Sequence, residues 1–463
     1  MNQMNWETLL CPERLHHQSG IDNQTDGRSS YDSDVQRVLF SGSFRRLSKK
    51  TQVHPLVAND HVHTRLTHSI EVAQVGKTLG KALGNRLGAQ LPQSITPNDI
   101  GTVVEAACLA HDLGNPPFGH GGEEAINHWF ENNGPKLLRS LDQAYKKDLM
   151  SFEGNAQGLR IICQTENHLF EGGLRLTYAT LGAFLKYPWN SRIPGKKFGA
   201  FLSEQEILVD IATKTGMIKL NENQWARHPL AYLVEAADDI CYGILDLEDA
   251  VELKILRYEE VEEVFLPLFS PEELQRFHDS LAKRSESFRV DLARLRGIVF
   301  DKAVGGAIDG FMNALDQIMN GQFSREKDVF DALPTDDPRR SVIKNAKNKA
   351  RQHIFHDTKK VEIELGSYSV FETLMNAFAK AAVDQAQCLT SPSEVTLSWK
   401  SDLVLKMLGA HAPSTSNKPD GHEWSEYQCL RRVIDYVSGM TDNYAIYVAS
   451  QIQGSGFSGL QRP

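Results

Sequence analysis

Four side chains, far apart in the chain, have the types needed to hold a divalent cation: His68, His111, Asp112 and Asp238. Imidazole nitrogen and carboxylate oxygen together suit Mn, Mg, Fe, Co or Ni better than a closed thiolate zinc site. Such a centre needs a few strong ligands and open positions for water or substrate. His111 and Asp112 are adjacent in the run CLAHDLGNPPFGHGGEEA that begins at Cys108. Neighbours on a helix point about 100° apart, so an ion near the helix end can lie between them. The stretch AACLAHDLG is otherwise apolar, and a charge buried there is costly unless paired or metal-bound. Asp238 and Asp239 compete for the fourth place. Asp238, Tyr242 and Asp246 form an i, i+4, i+8 stripe suited to a pocket wall, so Asp238 is chosen and Asp239 is expected to point elsewhere. His61, His63, His128 and His228 are read as ordinary hydrogen-bonded or solvated histidines.

His120 and Glu123 follow the Gly-Asn-Pro-Pro-Phe-Gly turn. At i and i+3 on a helix they share a face. A carboxylate beside an imidazole orients it and favours its protonated form. The pair is therefore a candidate general acid, the kind needed to protonate a leaving alkoxide in phosphate-ester cleavage. Gly114, Gly119, Gly121 and Gly122 permit close backbone approach to a ligand. No GxxxxGK[ST] motif occurs in the chain, which excludes a P-loop nucleotide site.

The elements that must position these residues read as helices. Apolar residues at 66, 70, 73, 75 and 79 predict an amphipathic helix over 65–86. Pro97 opens the next helix, which is expected to run to Gly114, where Asn115-Pro116-Pro117 must end it. A short helix is expected over 121–132, and a loop over 187–200. Ser203 with Glu206 reads as a capping box, with a helix to about Lys214. Pro229 starts a helix to about Lys254, and Ser270-Pro271-Glu272-Glu273 starts another. Further helices are expected near 304–320, 338–355, 370–387, 400–409 and 424–452, with a loop over 412–423. The one strand candidate is 361–365, VEIEL. The fold class is mainly α, and helices are expected to carry every proposed metal ligand.

The 463 residues suffice for two or three domains, and 41% are hydrophobic. Net charge is −9, so the whole protein is no generic nucleic-acid binder. The six cysteines are scattered without a CxxC pair, which points to a reducing compartment rather than a disulfide framework. With no basic-then-apolar leader pattern and no apolar run near the ~20 residues needed to span a bilayer, the expectation is a cytoplasmic protein.

Several stretches together resemble the deoxyguanosinetriphosphate triphosphohydrolase family, the HD-domain dNTPases. They are RRLSKKTQV (45–53), RLTHSIEV (65–72), AHDLGNPPFGHGGE (110–123), FEGNAQGLR (152–160), EAADDICYGILDLEDAV (235–251) and YVSGMTDNYA (436–445). Together they span nearly the whole chain. The resemblance implies a helical HD-domain fold with an additional C-terminal helical region. The polar composition of residues 1–35 reads as an irregular arm; a metal-dependent core is expected over 36–300, and a region over 301–463 that completes the substrate site and oligomer interface. The resemblance implies hydrolysis of a dNTP to deoxynucleoside and intact tripolyphosphate, with Mn or Mg the favoured ion. His68, His111, Asp112 and Asp238 would hold the metal, with His120 and Glu123 catalytic.

The resemblance also puts Gln52 and Val53 against the nucleoside, Asn155 and Lys186 against phosphates or sugar, and Tyr242 and Asp246 on the sugar side. Tyr242 would leave no room for a 2′-hydroxyl. Arg45, Arg46, Lys196 and Lys197 are expected as triphosphate neighbours. A homo-oligomer between dimer and hexamer is implied, with single-stranded DNA or a dNTP as a possible effector. Leu113 and Val437 replace the isoleucine of many relatives, away from the chemistry. The competing readings are another HD-type nucleotide phosphohydrolase and a catalytically silent dNTP- or nucleic-acid-sensing protein.

Overall fold

Three glycines decide how the first two long helices meet. In this computed structural model, described over residues 3–16, 27–52, 61–166, 173–282, 288–354, 358–390, 396–414 and 425–458, helix α1 is Arg65–Leu87 and α2 is Pro97–Ala110. Gly76, Gly80 and Gly84 recur every four residues on the buried side of α1. A Cβ on Gly80 would stand 2.7 Å from the Gly101 Cα of α2, and one on Gly84 would stand 2.6 Å from the Pro97 Cα. The backbones approach at a distance that only glycine allows. The helix forms as expected and buries Ala73 and Leu79 of the apolar spacing, but its inward face is turned partly away from the rest of that stripe. Leu66 and Val75 are only half-buried and Ile70 is exposed, whereas His68, Val72 and Leu83 face inward.

Helix α2 stops at Ala110, four residues before the expected end. Its last turn tightens: His111 N–H donates to the Cys108 carbonyl, Leu113 N–H to Ala110 and Asn115 N–H to Asp112, all three residues back. His111 and Asp112 therefore stand in the turn beyond the helix rather than on it. Helix α3 is His120–Leu137, longer than expected and continuing through Pro135. The short helix α4 is Gly154–Arg160, and α5 is Pro229–Glu252, opened by Pro229 as predicted.

Further long helices are α6 (Phe288–Met319), α7 (Arg339–Ile354), α8 (Thr358–Thr390), α9 (Glu426–Ser438) and α10 (Asp442–Gln453). Residue 300 lies inside α6 and marks no break in the chain. The strand candidate 361–365 lies inside α8. There Lys360 and Glu364 pair at 3.2 Å across one helical turn, a contact that a strand would not make. The only sheet among the described residues is a hairpin, Lys219–Asn221 against Gln224–Trp225. The capping box at Ser203 and Glu206 does not form. Ser203 lies in a 3-10 turn, its hydroxyl donating to Glu204, and the helix begins at Gln205. Of the loop expected over 412–423, residues 415–423 lie outside the described residues.

The N-terminal segment is no loose arm where it is described. Met4, Trp6, Leu9, Leu10 and Leu15 are buried, and a helix already runs from Ser30 to Leu39. Arg14 and Asp34 form a buried ion pair at 2.6 Å, and Asp34 also accepts from Thr177. Polar composition concealed this because the apolar residues are few, but most of those among the described residues are turned inward.

Two apolar clusters result. One joins the N-terminal segment, α1, α2, α5, α6 and α7; the other joins α3, α8, α9, α10 and the aromatic residues Trp189, Phe198 and Phe201. Leu113 belongs to the first and Phe118 to the second. The turn carrying His111 and Asp112 thus crosses from one core to the other. No helix among the described residues is long and apolar enough to cross a membrane.

Candidate active site

His68, one turn into α1, and Asp238, near the middle of α5, meet the α2–α3 turn from two sides. One ligand atom each from His68, His111 and Asp112 lies within 4.8 Å of the others. Asp238 Oδ1 is 3.1 Å from His68 Nε2 and 3.5 Å from His111 Nε2. The structure therefore brings the four expected ligands together.

His111 Nδ1–H donates to the Cys108 carbonyl at 2.6 Å, which fixes the tautomer and leaves Nε2 facing the cluster. That Nε2 is buried and has no hydrogen-bond partner. Asp112 is held at both oxygens: Asn115 Nδ2 donates to Oδ1 at 2.6 Å, and Arg65 Nη1 donates to Oδ2 at 2.8 Å. An orphaned imidazole nitrogen, a second histidine and two anchored carboxylates fit a divalent ion. Burial opposes charge on His111, but Asp112 and Asp238 outweigh it and raise the imidazole to about 9. Burial likewise opposes ionisation of Asp238, and His111 and His68 reverse it, holding the carboxyl well below the usual range.

Two consecutive left-handed residues, Phe118 at φ +62° and Gly119 at φ +58°, reverse the chain just before α3. His120 is thereby the first residue of α3, with its side chain 75% exposed to the cavity. Its Nδ1 is 2.8 Å from Glu123 Oε2, while Glu123 Oε1 accepts the Gly154 N–H at 2.8 Å. Burial raises the Glu123 carboxyl, but His120, Lys197 and the Gly154 amide bring it below the ordinary value. An ionised Glu123 accepts Nδ1–H and leaves His120 Nε2 toward the cavity.

That cavity measures about 540 Å³ and reaches from the His111–Asp112 turn to α7 and α8. Gln52, Asn155, Lys186, Lys197 and Tyr242 line it. Val53 lies outside the described residues. Arg45, Arg46 and Lys196 do not line it and are exposed; Lys196 pairs with Glu124 on the surface. Asp246 is also absent from the wall. It is buried one turn beyond Tyr242, and burial followed by the charge of Asp249 holds its carboxyl well above the usual range. Asp239, expected to point elsewhere, lines the same cavity and pairs with Lys347 at 2.6 Å. Burial pushes its carboxyl up to about 6.

Arg65, Lys347, Arg351 and Lys360 also line the cavity and were not singled out. Three carried a readable signal. Arg65 is three residues before His68 on one helical face. Lys347 and Arg351 are an i, i+4 pair in a segment, RRSVIKNAKNKARQHI, that holds no acid. With Lys186 and Lys197 they give six cations around one metal-type centre.

Comparison with known proteins agrees with this geometry. The HD domain model matches residues 65–176, and the phosphohydrolase-associated domain model matches 410–451. A deoxyguanosinetriphosphate triphosphohydrolase-like protein of Pseudomonas aeruginosa is 43% identical over 458 residues, covering 97% of this chain and 99% of its own length. One of the same description from Synechocystis is 35% identical, with 97% and 99% covered. A deoxyguanosinetriphosphate triphosphohydrolase of Yersinia enterocolitica is 33% identical, with 90% and 92% covered. An HD domain implies a divalent metal, and His68, His111 and Asp112 are its candidate site here.

Proposed function

Because this chain belongs to the deoxyguanosinetriphosphate triphosphohydrolase-like family of HD-domain phosphohydrolases, we propose that it hydrolyses deoxynucleoside triphosphates to deoxynucleoside and intact tripolyphosphate. One observation carries the proposal. An exposed imidazole, His120, backed by Glu123, faces the same cavity as the metal-type cluster and the six cations.

His68, His111, Asp112 and Asp238 would hold the ion, Mn or Mg in the first instance. Once bound, it supplies Lewis-acid polarisation of a phosphoryl oxygen. The protein's own groups do the rest. Lys186, Lys197, Lys347, Arg351 and Lys360 orient and neutralise the triphosphate. Asn115 and Arg65 keep Asp112 from rotating away. Water attacks the α-phosphorus in line, and the bond from that phosphorus to the sugar 5′-oxygen breaks. His120 donates its proton to that oxygen, and Glu123 holds the ring so that Nε2 points at it. Tyr242 supplies a flat wall for the sugar. Most of these cations have an acidic neighbour in the free protein: Lys186 with Glu235, Lys197 with Glu153, Lys347 with Asp239 and Lys360 with Glu364. Triphosphate entry must therefore compete with these acids for the cations, which selects against ligands of lower charge.

The expected homo-oligomer is proposed on the same footing. Its support is an apolar stripe at i, i+4 and i+8 on the helix Trp399–Leu408, where Trp399, Leu403 and Met407 are exposed. Product identification with each dNTP tests the chemistry. Orthophosphate or pyrophosphate in place of tripolyphosphate refutes it.

A further inference from the structure

The C-terminal segment between α9 and α10 reaches back into the active-site turn through one carboxylate. Asp442 is the first residue of α10 and is 2% exposed. A carboxylate at a helix N-terminus ordinarily serves its own helix. Here Thr441 caps α10, and Asp442 is committed elsewhere. Its Oδ1 accepts the Phe118 N–H at 3.0 Å. Its Oδ2 accepts both the Thr51 N–H at 3.0 Å and the Thr51 hydroxyl at 2.6 Å.

Both partners sit at decisive places. Phe118 is a bulky residue in the left-handed region, φ +62°, where a side chain persists only if its surroundings hold it. Its ring packs edge-on against Phe371 at 6.3 Å, and its amide is held by Asp442. The reversal at Phe118 and Gly119 sets where α3 begins, and so where His120 stands. Thr51 and Gln52 both line the cavity. A second tie runs beside the first. Lys50 is buried, and its Nζ donates to the Ser438 carbonyl at 2.8 Å and to the Asn115 carbonyl at 2.5 Å. Asn115 in turn holds Asp112.

We propose that Asp442 is a positioning residue: it locks the Phe118 reversal and the Thr51–Gln52 segment to the C-terminal helices, so that the acid His120 and the Gln52 wall keep one fixed relation across the cavity. The C-terminal helices are thereby part of the catalytic frame although Asp442 touches neither substrate nor metal. Asp112 and Gln52 are served by the same junction, Asp112 through Lys50 and Asn115, Gln52 through Thr51.

The kinetic arm of the test rests on the triphosphohydrolase reading; the exchange arm does not. Asp442→Asn keeps the shape but puts an NH2 group against N–H and O–H donors. Hydrogen exchange on the full-length protein should then quicken in peptides covering 114–123 by about tenfold or more, the scale of one lost buried hydrogen bond. Peptides from the far end of α1 should not change. Turnover should fall about tenfold or more through misplacement of the acid, and Asp442→Glu should recover part of it. Thr51→Val removes only the hydroxyl, and should raise KM while leaving kcat within about twofold. If Asp442→Asn does not fold, the Thr51→Val split decides alone. Unchanged exchange over 114–123 in folded Asp442→Asn overturns the positioning role, as does a kcat loss in Thr51→Val without a KM change. Exchange that quickens in a protein whose wild type turns over no dNTP upholds the positioning role and refutes the proposed reaction instead.

Discussion

His120 Nδ1 lies 2.8 Å from Glu123 Oε2, and the other Glu123 oxygen is pinned by the Gly154 amide at 2.8 Å. The histidine is exposed while its partner is buried. Orientation is thus stored in the protein and the acid is presented to whatever fills the cavity. His120→Ala should leave metal content unchanged and cut turnover by at least ~100-fold, the usual scale of acid–base catalysis. Elemental analysis beside steady-state kinetics checks both halves. Near-normal turnover removes His120 from the mechanism.

Asn115 acts through Asp112. Its amide holds Oδ1 at 2.6 Å, opposite the Arg65 contact to Oδ2. Asn115→Ala should weaken metal binding by about 10–100-fold, as loss of an outer partner of a ligand does. A Mn titration followed by electron paramagnetic resonance reads this without any substrate. Unchanged affinity means that Arg65 alone fixes Asp112.

The α1–α2 contact predicts a stability effect far from the chemistry. A Cβ at position 80 would meet the Gly101 Cα at 2.7 Å and the Ile100 carbonyl oxygen at 2.8 Å, both backbone atoms that cannot swing aside. Gly80→Ala should destabilise by about 1–3 kcal/mol despite alanine's better helix propensity. Thermal or urea unfolding measures it, and a stabilised variant contradicts the packing described here.

His228 predicts an acid-side loss of stability. Its ring is fully buried, Nε2–H donates to the Leu9 carbonyl at 3.0 Å, and Nδ1 accepts the Leu230 N–H at 3.1 Å. Only the neutral ring satisfies both bonds. Burial lowers its pKa from 6.5 to about 4. Between these values the unfolded chain binds the proton and the folded chain does not. Stability is therefore full above 6.5 and falls as pH drops toward 4, by up to about 3 kcal/mol. Unfolding measured across that window should show the slope in the wild type and a flatter slope in His228→Gln. Equal slopes assign the acid lability to other groups.

What could be read in the sequence divides along physical lines. The His111 to Glu123 run was legible because its chemistry is local: ligands, breaker prolines and the acid follow one another within fourteen residues. Helical periodicity on α5 separated Asp238 from Asp239 less cleanly than expected: Asp239 lines the same cavity, and Asp246, two turns beyond Asp238, does not. The glycines at 76, 80 and 84 are as regular as any apolar stripe, but a pattern that counts only apolar residues passes over them. VEIEL carries local strand preference, and the 33-residue helix α8 overrides it. Asp442 acts through contacts between elements remote in sequence. Asp442 reaches Phe118 across 324 positions, a relation that no local spacing encodes.

Hydrolysis in 18O-labelled water tests the central claim most directly. The full-length protein, loaded with Mn, is given each dNTP, and products are resolved by anion exchange and mass spectrometry. Attack at the α-phosphorus with a 5′-oxygen leaving group predicts unlabelled deoxynucleoside and intact tripolyphosphate carrying one 18O. Label in the deoxynucleoside, or release of orthophosphate or pyrophosphate in place of tripolyphosphate, contradicts the account.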